Sequence, residues 1–130
     1  MPIDLKKLSS KAMPRRPIDP LEIWNQLDHA VGKEYLRAIQ EAVLKQWFSQ
    51  RESRDTIIKM NTGTGKTLVG LLMLQSSLHE GLGPSLYLCP DKFLVGQVVD
   101  QARQFGVRCV SFEEGIGHIP AEYLNSEAIW

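Results

Sequence analysis

The stretch MNTGTGKT, residues 60–67, constrains this chain more than any other segment. It separates an apolar, β-rich run, TIIKM, from an apolar run with helical character, LVGLLMLQ. Gly63 and Gly65 lack a Cβ, so the backbone is free to curl tightly and bring several amides together. A helix that begins after them directs its unpaired N-terminal amides toward the same point. The segment therefore predicts a loop that binds a chain of phosphates.

The other side chains of the loop complete this chemistry. Lys66 is expected to reach the outer phosphates as the catalytic cation, and the Thr67 hydroxyl is expected to ligate Mg²⁺, which prefers oxygen ligands. Thr62 and Thr64 supply the rest of TGTGKT. The pattern is the P-loop GxxxxGK[ST], with Met60 at the first glycine position. The plain alternative is a glycine turn that only caps a helix. We expect a nucleotide with Mg²⁺ at this loop.

Alternating strand and helix patterns run along the chain. Such alternation predicts an α/β fold, a parallel sheet with right-handed crossovers and helices on its faces. The predicted strands cover 56–60, 85–90 and 107–112, and the predicted helices cover 20–32, 33–50, 66–80 and 92–106. In the second helix an apolar stripe is predicted at Leu36, Ile39, Val43 and Trp47.

Composition limits the partners and the compartment. Fifteen basic and fifteen acidic residues cancel, so a nucleic acid or a membrane would have to be met by a local patch. Cys89 and Cys109 have no metal-ligand spacing, which favours reduced thiols in a cytoplasmic protein. No apolar run suits a signal peptide or a membrane span. We expect a protein that is neither secreted nor membrane-bound.

The first twenty residues have a different character from the rest. Residues 1–20 carry four prolines and five basic residues, Lys6, Lys7, Lys11, Arg15 and Arg16. Proline lacks an amide donor and restricts the residue before it, so this stretch is predicted to be a flexible arm. Its basic side chains could touch phosphates, but a solvated tail is the preferred interpretation.

Two short motifs flank the glycine-rich loop. Upstream, LRAIQEAV places Arg37 and Gln40 on one helix face, where an amide and a guanidinium could both bind an adenine base. Downstream, PDKFLVGQ follows a predicted strand and contains Pro90, Lys92 and Gln97. Taken alone, the first motif is best interpreted as two polar residues on a solvated helix face. The second alone could be an ordinary strand-to-helix connection. In its helix, Phe93, Leu94 and Val98 are predicted to pack inward.

Together and in this order, RxxQ, TGxGKT and PxxxLxxQ resemble superfamily 2 helicases and translocases, the DEAD/DEAH-box-like group. The resemblance covers roughly residues 34–112 and implies the first RecA-like lobe of an ATP-dependent nucleic-acid motor. It implies that Arg37 and Gln40 read adenine. It also implies that residues 62–67 hold the triphosphate and Mg²⁺. Pro90, Lys92 and Gln97 would face the backbone of one DNA or RNA strand.

Several parts of such a motor are not found in this sequence. The DExH motif, the SAT-like motif and the second RecA-like lobe with its arginines are missing. Glu113–Glu114 is set aside as a substitute because it lacks the Asp expected to hold Mg²⁺. Residues 21–130 are therefore expected to form an incomplete ATP-binding lobe with a helical extension at its N-terminal side. We expect it to be marginally stable and to lack ATPase activity by itself.

Two other functions use the same loop. A small-molecule P-loop kinase would need a substrate pocket and a lid, and would have no use for the flanking motifs. A degenerate ATP-binding module would act through contacts without catalysis. A phosphate-binding loop does not by itself distinguish these from a helicase.

Overall fold

The computed structural model describes residues 16–29, 35–111, 121–125 and 127–130. Helices are the regular elements of these ranges: α1 (Pro20–Gln26), α2 (Ala38–Ser49), α3 (Lys66–Glu80), α4 (Lys92–Phe105) and α5 (Ala121–Leu124). The helix predicted over 66–80 is confirmed at both ends, and the one predicted over 92–106 differs only in that Gly106 is its cap.

Helix α3 is the centre of the fold. It packs against α1, α2 and α4. One side of α3 joins a core cluster with α1 and α2, made of Ile23, Trp24, Leu44, Leu68, Val69 and Leu72. The other side meets α4 and the C-terminal residues in a second cluster, made of Leu71, Leu78, Ala102, Val107 and Ile129. The helix that begins at the glycine-rich loop therefore has two apolar faces. One packs against α1 and α2, and the other packs against α4 and the C-terminal residues.

The starts of α1 and α4 follow local capping rules. The Asp19 carboxylate accepts a hydrogen bond from Leu21 N at 2.9 Å, and Asp91 accepts one from Leu94 N at 2.8 Å. An acidic side chain in this position satisfies an amide that has no partner within the helix. The end of the helix predicted over 20–32 differs, because α1 stops at Gln26 and Gly32 lies outside the described residues.

Helix α2 is shorter and differently oriented than the sequence predicts. It begins at Ala38, five residues after the predicted start. Ile39, assigned to the apolar stripe, is 47% exposed, whereas Gln40 and Leu44 are buried. The reason is that the Gln40 side chain hydrogen-bonds to Arg37 N and Gly65 O. The face of α2 that turns inward therefore contains Gln40 and Leu44 and not Ile39.

The predicted strands do not form as regular strands in the described part of the chain. Residues 56–60 make no backbone hydrogen bond to another described segment, and Ile57 is 95% exposed. A strand is stable only when its amides and carbonyls meet a neighbouring strand. Among the described residues the helices of the predicted α/β fold are thus present, but its parallel sheet is not formed.

Parallel pairing is nevertheless present near the C-terminal residues. Ile129 and Cys109 form an isolated parallel bridge. On the other side, Trp130 N donates to Ser85 O at 3.1 Å and Trp130 O accepts from Tyr87 N at 2.7 Å. Residues 128–130 therefore lie between two segments that were predicted as strands, and the direction of pairing agrees with a parallel arrangement.

The chain before α1 is attached to the end of α3. Ser76 Oγ donates to Ile18 O at 2.5 Å, and His79 Nδ1 lies 2.6 Å from Pro17 O. The last residues of the predicted arm are thus hydrogen-bonded to a core helix. Residues 1–15, with four of the five basic side chains of the arm, lie outside the described residues.

Two further predictions concern cysteines and membranes. Cys89 and Cys109 are both free thiols and both half-buried. In the described ranges, no helix combines the length and the apolarity needed to cross a bilayer. The acidic pair Glu113–Glu114 lies outside the part of the chain that the structure describes.

Candidate functional site

The loop between residues 61 and 66 turns sharply before α3 begins. Thr64 N donates to Asn61 O at 3.3 Å and closes the turn. Gly63 and Gly65 have φ values of 82° and 84°, in the left-handed region that residues with a Cβ rarely adopt. Gly65 is the N-cap of α3, so the curl passes directly into the helix. The backbone therefore has the course that a phosphate-binding loop requires.

Gln40 of α2 hydrogen-bonds to this loop through its side chain. Its Nε2 donates to Gly65 O at 3.2 Å, and its Oε1 accepts from Arg37 N at 2.9 Å. The side chain is only 5% exposed. The φ of Gly65 favours glycine, and a Cβ there would lie 2.0 Å from Gln40 Nε2, so the Gln40 amide would have to move away from the loop.

Arg37 makes the second link between α2 and the loop. Its Nη1 donates to Gly63 O at 2.5 Å, and the residue is exposed. The structure thus brings together Arg37, Gln40, Gly63 and Gly65, which the sequence had placed in one site. Each of the two side chains contacts a loop carbonyl, and their reading of adenine stays a prediction.

The lysine and the threonines stand at the rim of the loop. Lys66 is exposed at the first position of α3, and Thr67 is half-buried beside it. Thr64 Oγ1 donates to Asn61 O at 2.5 Å, so this hydroxyl stabilises the turn. Thr62 is exposed. Lys66 is the charged side chain of the loop, and it begins the helix whose free amides lie at the same end.

The second predicted motif forms the start of α4. Pro90, Lys92 and Gln97 are all exposed, as a surface that touches a strand of nucleic acid requires. Phe93, expected to pack inward, is 74% exposed, so that part of the prediction is wrong. Asp91 caps the helix and fixes its direction. Leu94 and Val98, the other two residues predicted to pack inward, are half-buried.

An open apolar cavity of about 840 Å³ lies beside this motif. Its walls come from the 86–92 segment, the inner face of α4 and the segment 109–111, with Trp130 at one side. Both cysteines line it. Burial raises the pKa of the Cys109 thiol, and the neighbouring Cys89 adds to the effect. The protonated thiol is therefore favoured at Cys109.

Protein metal ligands are not clustered in the described ranges, where no group of three or more His, Cys, Asp and Glu side chains is found. A metal ion held mainly by phosphates and water needs few protein ligands, and the Thr67 hydroxyl is an oxygen donor of the kind that Mg²⁺ accepts. The donor set at the loop thus fits Mg²⁺ in company with a nucleotide and does not suit a resident metal held by protein alone.

Tyr35 was not singled out from the sequence, although it belongs to the same region. It lies two residues before Arg37 and is 90% exposed. The signal was an aromatic residue at the entrance to a segment that contacts the loop.

Comparison with known proteins identifies the family. The sequence model of the DEAD/DEAH box helicase family matches residues 37–122, which is about two thirds of the chain. Comparison with characterised proteins and with solved structures gives no match. The matched region begins at Arg37 and contains both the glycine-rich loop and PDKFLVGQ. This chain belongs to the DEAD/DEAH box helicase family.

Proposed function

We propose that this chain binds ATP with Mg²⁺ as part of an ATP-dependent nucleic-acid helicase or translocase. The observation that carries the proposal is the left-handed turn at Gly63 and Gly65 that leads directly into α3. Such a turn collects backbone amides and a helix N-terminus around one anion. Membership of the family supports ATP as the nucleotide and nucleic acid as the partner.

The roles within the loop follow from its chemistry. The amides of residues 62–67 would surround the phosphates, and the Lys66 ammonium would neutralise the charge that develops on the outermost one. The Thr67 hydroxyl would supply an oxygen ligand to Mg²⁺, which would neutralise part of the phosphate charge. Arg37 and Gln40 would contact the adenine side of the nucleotide and keep the loop carbonyls in place.

The nucleic-acid contact is proposed at the start of α4. Pro90, Lys92 and Gln97 are exposed there, and Lys92 would bind a phosphate as a point charge, without the two-pronged geometry of arginine. The net charge of the chain is zero, so this contact would be local and would weaken as salt is raised.

The larger architecture is proposed from the family. A RecA-like lobe has a parallel sheet flanked by helices, and the pairing of residues 128–130 on both sides is consistent with it. We propose that residues 21–130 form part of the first lobe and that 1–20 precede it, with Pro17 and Ile18 hydrogen-bonded to α3 and Pro20 at the start of α1. ATP turnover would need a second lobe, and a cytoplasmic location is proposed from the free thiols.

Nucleotide binding is tested by calorimetric titration of the 130-residue chain with MgATP. Lys66→Ala is expected to weaken ATP affinity by at least about tenfold, because a charge-assisted phosphate contact contributes about 1.5–3 kcal/mol. Lys59→Ala removes an exposed lysine just before the loop and serves as the matched control. Equal affinities of the wild type and Lys66→Ala would contradict the phosphate-binding role.

Nucleic-acid binding is tested with a fluorescent single-stranded oligonucleotide. Lys92→Ala is expected to reduce affinity for the oligonucleotide. It should also lower the slope of log affinity against log salt concentration by about the amount that one phosphate contact contributes. Arg103→Ala, at the other end of α4, removes an exposed cation from the same helix as the control. A similar loss with both variants would show that binding depends on total charge and not on the motif.

ATP hydrolysis separates the remaining alternatives. We expect no turnover by these 130 residues, with or without oligonucleotide, because hydrolysis requires acidic, water-positioning and arginine groups in addition to a phosphate-binding loop. A degenerate module would bind ATP equally well but would show no nucleic-acid contact at Lys92. A small-molecule kinase would transfer phosphate to an added acceptor, which is measured by loss of ATP in a panel of acceptors.

A further inference from the structure

The segment before α1 is held against α3 by two side chains of that helix. Ser76 Oγ donates to Ile18 O at 2.5 Å, and His79 Nδ1 lies 2.6 Å from Pro17 O. A carbonyl oxygen can only accept, so Nδ1 of His79 carries the proton of this hydrogen bond. The other ring nitrogen, Nε2, is therefore an acceptor whenever the imidazole is neutral.

Gln75 lies one turn earlier on α3 and hydrogen-bonds to this acceptor. Its Nε2 is 2.8 Å from His79 Nε2, so the amide donates to the neutral ring. Its Oε1 is shielded from solvent and has no hydrogen-bond partner in the described part of the chain. A buried oxygen without a donor costs free energy, and such groups are rare in folded proteins. The Gln75 amide therefore has an acceptor that one more donor could satisfy.

Protonation of His79 supplies that donor. The imidazolium carries hydrogen on both nitrogens, so its Nε2 can no longer accept from the Gln75 amide. A half turn about the last side-chain bond of Gln75 exchanges the positions of its Oε1 and Nε2, which have nearly the same size. The oxygen then accepts from the Nε2–H of His79, and the amide nitrogen takes the unpaired place. One unpaired atom replaces another, while the hydrogen bond to the ring becomes charge-assisted and stronger.

The charges around this imidazole leave the amide as its polar partner. Burial lowers the pKa of His79, and the charge of Arg16, in the segment before α1, lowers it as well. Glu80, the next residue of α3, is paired with Arg51 at 3.7 Å, and Asp19 caps α1. The charged side chains on the helices that pack against α3 are partly or fully exposed: Glu22, Glu41, Lys45, Lys92, Asp100 and Arg103.

We propose that Gln75 and His79 form a proton-responsive pair that holds the segment before α1 on α3 in both charge states of the imidazole. With a neutral ring the Gln75 amide donates to His79, and with the imidazolium it rotates and accepts. Pro17 O keeps its donor throughout, because Nδ1 is protonated in both states. The pair makes the attachment of residues 17 and 18 tolerant of acid, although burying the added charge still lowers the stability of the fold.

The first test follows the three histidines of the full chain by NMR as pH is lowered. His79→Asn removes one set of ring signals and so assigns those of His79. Gln75→Met keeps the side-chain length but loses the amide, and it is expected to lower the titration midpoint of His79 by about one pH unit, because the hydrogen bond from the charged ring is the stronger one. Gln104→Met makes the same change on the exposed part of α4 and should leave the midpoint unchanged. An unchanged midpoint in Gln75→Met would overturn the inference, because water and not the amide would then accept from the imidazolium.

A second measurement observes the rotation in the wild type and needs no substitution at Gln75. Nuclear Overhauser effects between the Gln75 amide protons and the His79 ring should be strong above the midpoint and weak below it, because the NH₂ group turns away. Effects between the ring and the protons of Pro17 and Ile18 should persist in both states. Equal amide effects on both sides of the midpoint would refute the rotation. Loss of the Pro17 and Ile18 effects in acid would show that the segment is released instead.

Discussion

The side-chain amide of Gln40 donates to the carbonyl of Gly65 at 3.2 Å and so joins helix α2 to the loop that precedes α3. The two residues are 25 positions apart in sequence. The same glycine caps α3 with φ 84°, so one residue combines a backbone turn with a close side-chain contact. The shape of the loop is therefore set partly by its own glycines and partly by a neighbouring helix.

Gly65 should tolerate substitution less well than Gly63. Both have positive φ, which costs an alanine about 1–2 kcal/mol. A Cβ at Gly63 meets nothing within 4 Å, whereas one at Gly65 falls 2.0 Å from Gln40 Nε2. Urea unfolding should show an additional loss of about 1–3 kcal/mol for Gly65→Ala over Gly63→Ala, because the Gln40 amide would have to move and give up its hydrogen bond to the loop. Equal losses would mean that the contact with Gln40 is absent in solution.

Gln40→Ala should destabilise the chain although it removes a polar side chain. The amide is buried and pairs with Arg37 N and Gly65 O, so its loss should lower the free energy of unfolding by about 1–3 kcal/mol. Gln46→Ala, on the exposed part of the same helix, is the control and should stay within about 0.5 kcal/mol of the wild type. The result would be contradicted by matching urea midpoints for the two variants.

Leu72→Ala tests whether α3 is the centre of the core. Leu72 is fully buried in the cluster that joins α1, α2 and α3, so the truncation should cost about 2–5 kcal/mol. Leu82→Ala makes the same chemical change at a side chain that is 69% exposed and should be nearly neutral. A small effect at Leu72, measured by thermal unfolding, would show that this cluster contributes little.

Acidification should destabilise the fold through the half-buried His79 near the end of α3. Burial lowers the pKa of His79, and the nearby Arg16 also lowers it, against the hydrogen bond to Pro17 O, which raises it. The neutral imidazole is therefore favoured in the fold. Its contribution is complete above the ordinary His pKa of 6.5 and is lost as pH falls through the lower value of the folded state.

The matching measurement follows the melting temperature as pH is lowered from about 7.5 to about 5.5, across the ordinary His pKa. His79→Asn keeps a side-chain donor for Pro17 O but does not titrate. The melting temperature of the variant should fall less over this pH interval than that of the wild type. Identical pH profiles would show that another group controls the acid sensitivity.

Cys109 should react slowly with iodoacetamide in the folded chain. The thiolate is the reacting form, and burial together with the neighbouring Cys89 raises the pKa of this thiol. Mass spectrometry of Cys89→Ser, in which Cys109 is the remaining cysteine, should show slow labelling that accelerates in urea. Rapid labelling without urea would mean that the cavity beside α4 is more open than its structure indicates.

The sequence by itself determined α3 and its glycine-rich start. The helix period, the glycines at both ends and the lysine at its first position all lie within one short segment, and their interactions are local. The same holds for α4, where Asp91 caps the start and Gly106 follows the last residue. Local capping and periodicity are readable from sequence because they involve residues at most a few positions apart.

Tertiary structure alone decided which polar and apolar side chains of α2 are buried. Its periodicity favoured Ile39 for the interior, but Gln40 occupies that position because its partners lie far along the chain, at the loop. Residues 128–130 likewise find their places between 85–87 and 108–110 through backbone bonds that no local pattern encodes. Contacts between distant residues depend on how the helices pack, and that arrangement is fixed only when the whole chain is folded.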